Sequence, residues 1–197
     1  MTTSVHEDAG RPLLLVTGAS GYIGGRLMRA LHDAGARVRC MARRPDELRV
    51  RAPGGVEVVH GDVLDPASLP AALAGVDTAY FLIHAMATPR DFAREECEGA
   101  RHFAHAALSV GVRRIVYLGG LGSDEGLSVH LASRHEVGRI LRDSGVPTIE
   151  LRASVILGSG SLSFELVRAL VERLPVMLIP RWVSTRTQPI AIGDVIA

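Results

Sequence analysis

Six short apolar runs, Leu13–Thr17, Arg37–Met41, Val56–His60, Thr78–Ile83, Arg114–Leu118 and Thr148–Leu151, punctuate the chain. Segments with helical spacing lie between or after them, at Gly21–Ala34, Pro66–Ala74, Asp91–Val110, Leu131–Ser144 and Ser161–Arg173. Apolar runs this short, separated by helical patterns, predict parallel strands covered by helices on both faces. The expected fold class is therefore α/β, with a doubly wound, mostly parallel sheet. Asp33-Ala-Gly35, Ser109-Val-Gly111 and Asp143-Ser-Gly145 each put a glycine just past a helix. That is where a left-handed residue is wanted.

Between the first strand and the first helix stands Thr17-Gly18-Ala19-Ser20-Gly21-Tyr22-Ile23-Gly24-Gly25, a TGxxGxxG loop. Gly18 permits the strand-to-helix turn, Gly21 lets backbone approach a pyrophosphate, and Gly24 allows close helix packing. The helix N-terminus turns its unpaired N–H groups toward the phosphates. The expectation is a dinucleotide site built on Thr17, Gly18, Ser20, Gly21, Tyr22, Ile23 and Gly24. A carboxylate at the end of the second strand would accept the ribose 2′-OH of NAD. Here that end reads Cys40-Met41-Ala42-Arg43-Arg44, and two arginine forks suit a 2′-phosphate. NADP is the expected cofactor, with NAD as the alternative. Asp62 and Val63, after the third strand, are placed at the adenine edge, although Asp62 equally suits a turn cap. Leu82 and His84, after the fourth strand, are placed beside the nicotinamide, where α/β sheets bind ligands.

Residues 1–10 read as a flexible tail, 11–157 as the dinucleotide-binding Rossmann domain, and 158–197 as the start of a substrate-side region. Asp194 is expected to cap a helix that begins at Val195 and is cut short at Ala197. Ser159–Glu165 is expected to border the substrate cleft.

Composition narrows the chemistry. All 22 Lys+Arg residues of this 197-residue chain are arginine, and asparagine is also missing. No lysine Schiff base, P-loop lysine or Lys/Asn relay can be built. A net charge of +1 argues against a nucleic-acid surface. Cys40 and Cys97 stand far apart with no CxxC, as expected of packing residues in a reduced cytoplasm. No apolar run approaches the roughly 20 residues of a membrane span. Glu98, His102 and His105 share a helical face without the HExxH spacing, so no metal site is expected. A small-molecule substrate is the expected partner, and homo-oligomerisation stays open.

From Leu13 onward the sequence resembles the atypical and extended short-chain dehydrogenase/reductase superfamily, of NmrA-like or complex I 39-kDa-subunit-like character. Thr17–Gly25, Gly61–Asp65, Gly111–Leu118 and Gln188–Asp194 carry the resemblance. It implies a Tyr-x-x-x-Lys pair on the helix after the fifth strand and a hydroxyl at that strand's end. The chain departs from both. Four residues after Tyr22, Tyr80 and Tyr117 come Arg26, His84 and Leu121. The matching positions hold His130 and Arg134, and the hydroxyl position holds Gly119 or Gly120, with Ser123 nearby. His130 and Arg134, four apart, share one helical face. The expected catalytic residues are His130 as acid, Arg134 beside the ribose or a substrate carboxylate, and His84 in the nicotinamide pocket. Arg134 is expected to depress the imidazolium of His130.

The leading expectation is an NADP-dependent oxidoreductase acting on a small carbonyl or activated double bond. The alternative is a non-catalytic dinucleotide sensor or assembly module, with nucleotide-sugar epimerisation or dehydration third.

Overall fold

The computed structural model describes residues 10–84, 92–122, 127–173 and 187–197. Six parallel strands form one sheet in the order β3-β2-β1-β4-β5-β6: β1 Leu13–Thr17, β2 Arg37–Ala42, β3 Glu57–His60, β4 Thr78–Phe81, β5 Arg114–Gly120 and β6 Thr148–Ala153. The expected doubly wound sheet is present, and the strand order reverses between β1 and β4. Helices α1 (Tyr22–Asp33), α2 (Pro45–Arg49), α3 (Leu69–Leu73), α4 (Phe92–Ser109) and α5 (Val129–Arg142) connect the strands, and a 3₁₀ turn at Pro66–Ser68 leads into α3. A two-stranded pair, β7 (Ile156–Leu157) and β8 (Ile190–Ala191), carries α7 (Ile192–Ile196), and α6 (Leu162–Arg173) follows β7.

The sheet separates two cores. One gathers Leu13, Leu15, Phe81, Phe103, Ile115, Tyr117 and Leu141 under α3, α4 and α5. The other gathers Val16, Leu27, Met28, Val38 and Cys40 under α1. Leu15 and Val16 are both fully buried, as the alternation of a strand covered on both faces requires. Phe81 and Phe103 meet at 4.9 Å between ring centroids, tilted by 53°. Burial pushes the Cys40 thiol up to about 12, consistent with a packing role.

The anticipated helix-ending glycines are left-handed, with φ of 75° at Gly35, 78° at Gly111 and 87° at Gly145. One expectation needs correction, and one helix was not anticipated. Asp194 does not cap a helix: α7 begins at Ile192 with Ala191 as N-cap, so Asp194 lies inside its first turn. The chain passes straight from β8 into α7, leaving no loop for a capping residue. The short helix α2, opened by Pro45, had no long apolar periodicity to announce it.

Among the described residues β6 is the outermost strand on its side of the sheet. Its Ile149 and Leu151 are 46% and 49% exposed. Between them the Glu150 carboxylate turns inward, with Arg142 and Arg152 as its ion-pair partners, Arg152 Nε at 2.9 Å. A Cβ at Gly119 or at Gly138 would stand 2.7 Å from Glu150 Oε1, so these two glycines leave the space that the carboxylate fills.

At the switch point Thr17, fully buried, donates its hydroxyl to the Tyr80 carbonyl at 3.0 Å and accepts from the Leu82 amide at 2.9 Å. Thr17→Val keeps the shape and orphans that amide. The expected cost is about 1–3 kcal/mol of unfolding free energy in a urea titration.

Candidate functional site

The glycine loop is built as its sequence requires. Gly18 sits at φ 65°, and a Cβ there would stand 2.7 Å from the Leu82 carbonyl oxygen. A Cβ on Gly24 would stand 2.3 Å from the Gly18 carbonyl oxygen, so the first turn of α1 lies directly on the loop. The Gly21 amide closes the turn onto that same oxygen at 2.9 Å. Gly21 is the N-cap of α1, no side chain caps it, and the first turn holds no acid. A twelve-residue helix therefore presents its positive end without an internal anion, and the glycines leave backbone within reach of a ligand. These features fit a dinucleotide pyrophosphate.

Tyr22 contributes through its place at the helix start. Its ring turns toward the C-terminal elements, where a Cβ on Gly158 would stand 2.4 Å from its hydroxyl, and that hydroxyl is buried without a partner. Arg26 lies over the ring at 3.9 Å and donates to the Ser159 carbonyl at 2.9 Å. Residues 158–160 thus lie against α1 beside the loop.

At the end of β2, Arg43 and Arg44 are both exposed, and Arg44 reaches Glu47 at 3.2 Å. A surface pair of this kind is weak enough to be exchanged for a phosphate. A groove of about 180 Å³ beside the loop is lined by Ser20, Arg29, Leu48 and Arg51, adding two arginines that no motif pointed to. A wider recess of about 480 Å³ lies at Arg11, Arg37 and Arg113, at the sheet edge opposite the loop. It is remote from the residues considered for chemistry. Asp62 takes the turn-capping alternative, its carboxylate accepting from the Leu64 amide at 3.0 Å. Val63 is a core residue whose carbonyl meets His102 Nδ1 at 2.9 Å. His102, anticipated on a helical face with Glu98 and His105, is thereby committed to the loop before α3.

The C-terminal edge of β4 and β5 brings the chemical candidates together. His84 Nε2 lies 3.1 Å from His130 Nε2. Arg134 Nη1 lies 3.4 Å from His84 Nδ1, while its Nη2 donates to the Leu118 carbonyl. Arg134 is therefore tied to the end of β5, where sequence reasoning expected it to reach a ribose or substrate carboxylate. Leu82 is engaged through its backbone at the loop. Phe92 stacks on the His130 ring at 5.2 Å and 16°. His130 titrates below its ordinary value because of burial first and then the neighbouring His84, with Arg134 the smallest cause. The expected depression is present, but Arg134 is not its main source.

Glu96 was missed by sequence reasoning. It is 9% exposed on α4, with Oε1 2.6 Å from His84 Nδ1 and Oε2 accepting from Ser133 Oγ at 2.6 Å. Its one sequence signal is a carboxylate in register with Gly99, Ala100 and Phe103 on the buried stripe of α4.

A side chain at Gly119 or Gly120 would have to displace a neighbour. At Gly119 a Cβ meets the pinned Glu150 carboxylate, and at Gly120 it would stand 2.3 Å from a Leu131 methyl. Ser123 lies outside the described residues. Tyr117 does not substitute as acid: its hydroxyl donates to the Arg134 carbonyl at 3.0 Å, and burial raises its ionisation to about 12.

Comparison with known proteins agrees with this geometry. The chain is 36% identical over 181 residues to a (4-alkanoyl-5-oxo-2,5-dihydrofuran-3-yl)methyl phosphate reductase of Streptomyces griseus, covering 87% of this chain and 60% of the relative. It is 31% identical over 170 residues to a ceramide reductase of Caulobacter vibrioides, covering 85% and 53%. Among solved structures, Citrobacter sp. triphenylmethane reductase complexed with NADP(H) superposes with a TM-score of 0.68 at 25% identity, over 82% of this chain and 55% of that one. The chain thus spans little more than half the length of these relatives. The sequence profile of the NmrA-like family matches residues 11–168, and the chain belongs to that family.

Proposed function

We propose that this chain binds NADP(H) and is the cofactor-binding portion of a reductase acting on a small carbonyl or activated double bond. The observation that carries the reading is a shared sheet edge: the uncapped positive end of α1 and the histidine cluster after β4 both lie at the switch point. In this reading residues 11–157 form the dinucleotide domain and 158–197 open the substrate side. The reductase names of the Streptomyces griseus and Citrobacter relatives support the chemistry, and the latter's bound NADP(H) supports the cofactor.

The dinucleotide supplies the hydride when bound, so the chain must bind, orient and give one proton. Gly18, Gly21 and Gly24 bring backbone to the pyrophosphate, with Thr17, Ser20, Tyr22 and Ile23 forming the rest of the loop. Arg43 and Arg44 take the 2′-phosphate, and Asp62 and Val63 border the adenine through the turn they shape. Leu82 and His84 border the nicotinamide, and His130 faces the substrate as acid. Among the described residues no helix is long and apolar enough to cross a membrane. We place the protein in the cytoplasm, as its two thiols without a CxxC motif suggest.

The alternative reading is a dinucleotide sensor without turnover. Glycines at 119 and 120, where the resemblance would put a hydroxyl, favour it.

Titration calorimetry is expected to show NADPH binding at least about tenfold tighter than NADH, and Arg43→Glu is expected to remove the preference. Equal affinities would overturn the NADP assignment. In assays of NADPH oxidation with a panel of small ketones and enones, His130→Ala is expected to lower turnover by about 10² or more while leaving NADPH affinity unchanged. NADPH binding without oxidation by any member of the panel would favour the sensor.

A further inference from the structure

Two imidazole nitrogens 3.1 Å apart place a strict condition on their protons. The His84 Nε2 and His130 Nε2 contact is attractive only when one proton lies between them, since two lone pairs repel and two N–H groups collide. The other nitrogen of His84 is committed as well: Nδ1 lies 2.6 Å from Glu96 Oε1, and an ionised carboxylate only accepts. His84 therefore keeps its Nδ1 proton toward Glu96, and its Nε2 shares a proton with His130. Glu96 cannot rotate away, because Oε2 takes the Ser133 hydroxyl at 2.6 Å and the residue is buried. Among the described residues the one ring nitrogen of the pair left for an outside partner is His130 Nδ1. Its ring is held by Phe92 on one face, and the His84 ring packs edge-on at 4.7 Å.

We propose that Glu96, His84 and His130 form a proton relay in which His130 Nδ1 delivers the proton to the substrate and Glu96 acts as a positioning residue. This rests on the reductase reading above and names the acid that takes the place of the superfamily's Tyr/Lys pair.

In the charged state the two rings hold three protons: one toward Glu96, one shared and one on His130 Nδ1. As hydride from the dinucleotide forms the new C–H bond, the carbonyl π pair moves to oxygen, which takes the Nδ1 proton. The substrate is reduced and the dinucleotide oxidised. The shared proton moves toward His130 Nε2 as Nδ1 loses its own, and both rings end neutral. Solvent returns the missing proton through the exposed side of His130.

The charged and titratable groups around the relay come from three elements. Arg134 on α5 faces His84, and Glu96 on α4 faces it from the opposite nitrogen. Cys97, next to Glu96 on α4, has its thiol pushed up by burial first, with Arg101 and Arg139 acting in the other direction. Tyr117 on β5 lies under the Arg134 guanidinium, at 6.0 Å. Arg134 holds a permanent positive charge beside the pair, and the Glu96 carboxylate balances the third proton.

The test is a ring ¹⁵N NMR titration of the histidines in the protein without cofactor, run alongside NADPH binding and the pH profile of NADPH oxidation. In the wild type His84 is expected as the Nδ1–H form, and the turnover profile is expected to follow the His130 titration. Glu96→Gln keeps the shape and removes the negative charge, so His130 is expected to titrate at lower pH. His84→Leu removes the neutral ring whose Nε2 accepts the shared proton, so His130 is expected to titrate at lower pH there too, and adding Glu96→Gln to it is expected to move His130 little further. The turnover profile should move with His130 in each variant, with the Glu96→Gln maximum falling about tenfold or more and NADPH affinity unchanged. A His130 titration unchanged from the wild type in both variants, or a turnover profile that ignores it, would overturn the relay while leaving the reductase reading standing. Failure of the wild type to bind NADPH would overturn the reductase reading and the relay's catalytic use, even if the ring spectra still show a shared proton.

Discussion

The site depends on how closely β1 and β4 meet where the sheet changes direction. The Thr17 hydroxyl holds both the Tyr80 carbonyl and the Leu82 amide, and Gly18 passes so near the Leu82 carbonyl that no side chain fits between them. One clamp thus fixes two things. On the β1 side it sets the turn that aims α1 at a pyrophosphate, and on the β4 side it sets where His84 leaves the sheet. The phosphate end and the proton-donating end of the proposed site are held in register by a few backbone atoms.

The readability of each feature followed its locality. The strand runs and the glycine loop are contiguous in sequence, so their periodicity and turn chemistry suffice, and β1 matches its expected bounds while β5 and β6 run two residues further. His130 and Arg134 were legible because four residues on a helix share a face. Glu96 was not, because its meaning comes from Ser133 and His84, which belong to other elements. On α4 the visible pattern was the face of Glu98, His102 and His105, whereas the carboxylate that meets His84 lies on the buried stripe beside Ala100 and Phe103. Asp194 misled for the opposite reason: a good capping residue stood where the backbone had already become helical.

The missing lysine takes on a specific meaning in the structure. Arg134 stands where the resemblance would put a lysine, but its guanidinium donates to the Leu118 carbonyl and lies beside the His84 ring. A fork with several fixed donors can brace a strand end and flank an imidazole together, which a single ammonium does less well. The positive charge is retained, and in the proposed relay proton chemistry passes to the two histidines.

Glu150 bears on a different problem. An outer strand with exposed Ile149 and Leu151 offers free backbone groups and apolar side chains to any passing chain, which is the starting point of edge-to-edge misassembly. A carboxylate turned inward between them, held by Arg142 and Arg152 in the space left by Gly119 and Gly138, penalises an invading strand that would shift the register or strip those arginines away. The absence of side chains at Gly119 and Gly138 therefore has a use of its own: it makes a socket in which one carboxylate ties the last strand of the described sheet to α5 through Arg142.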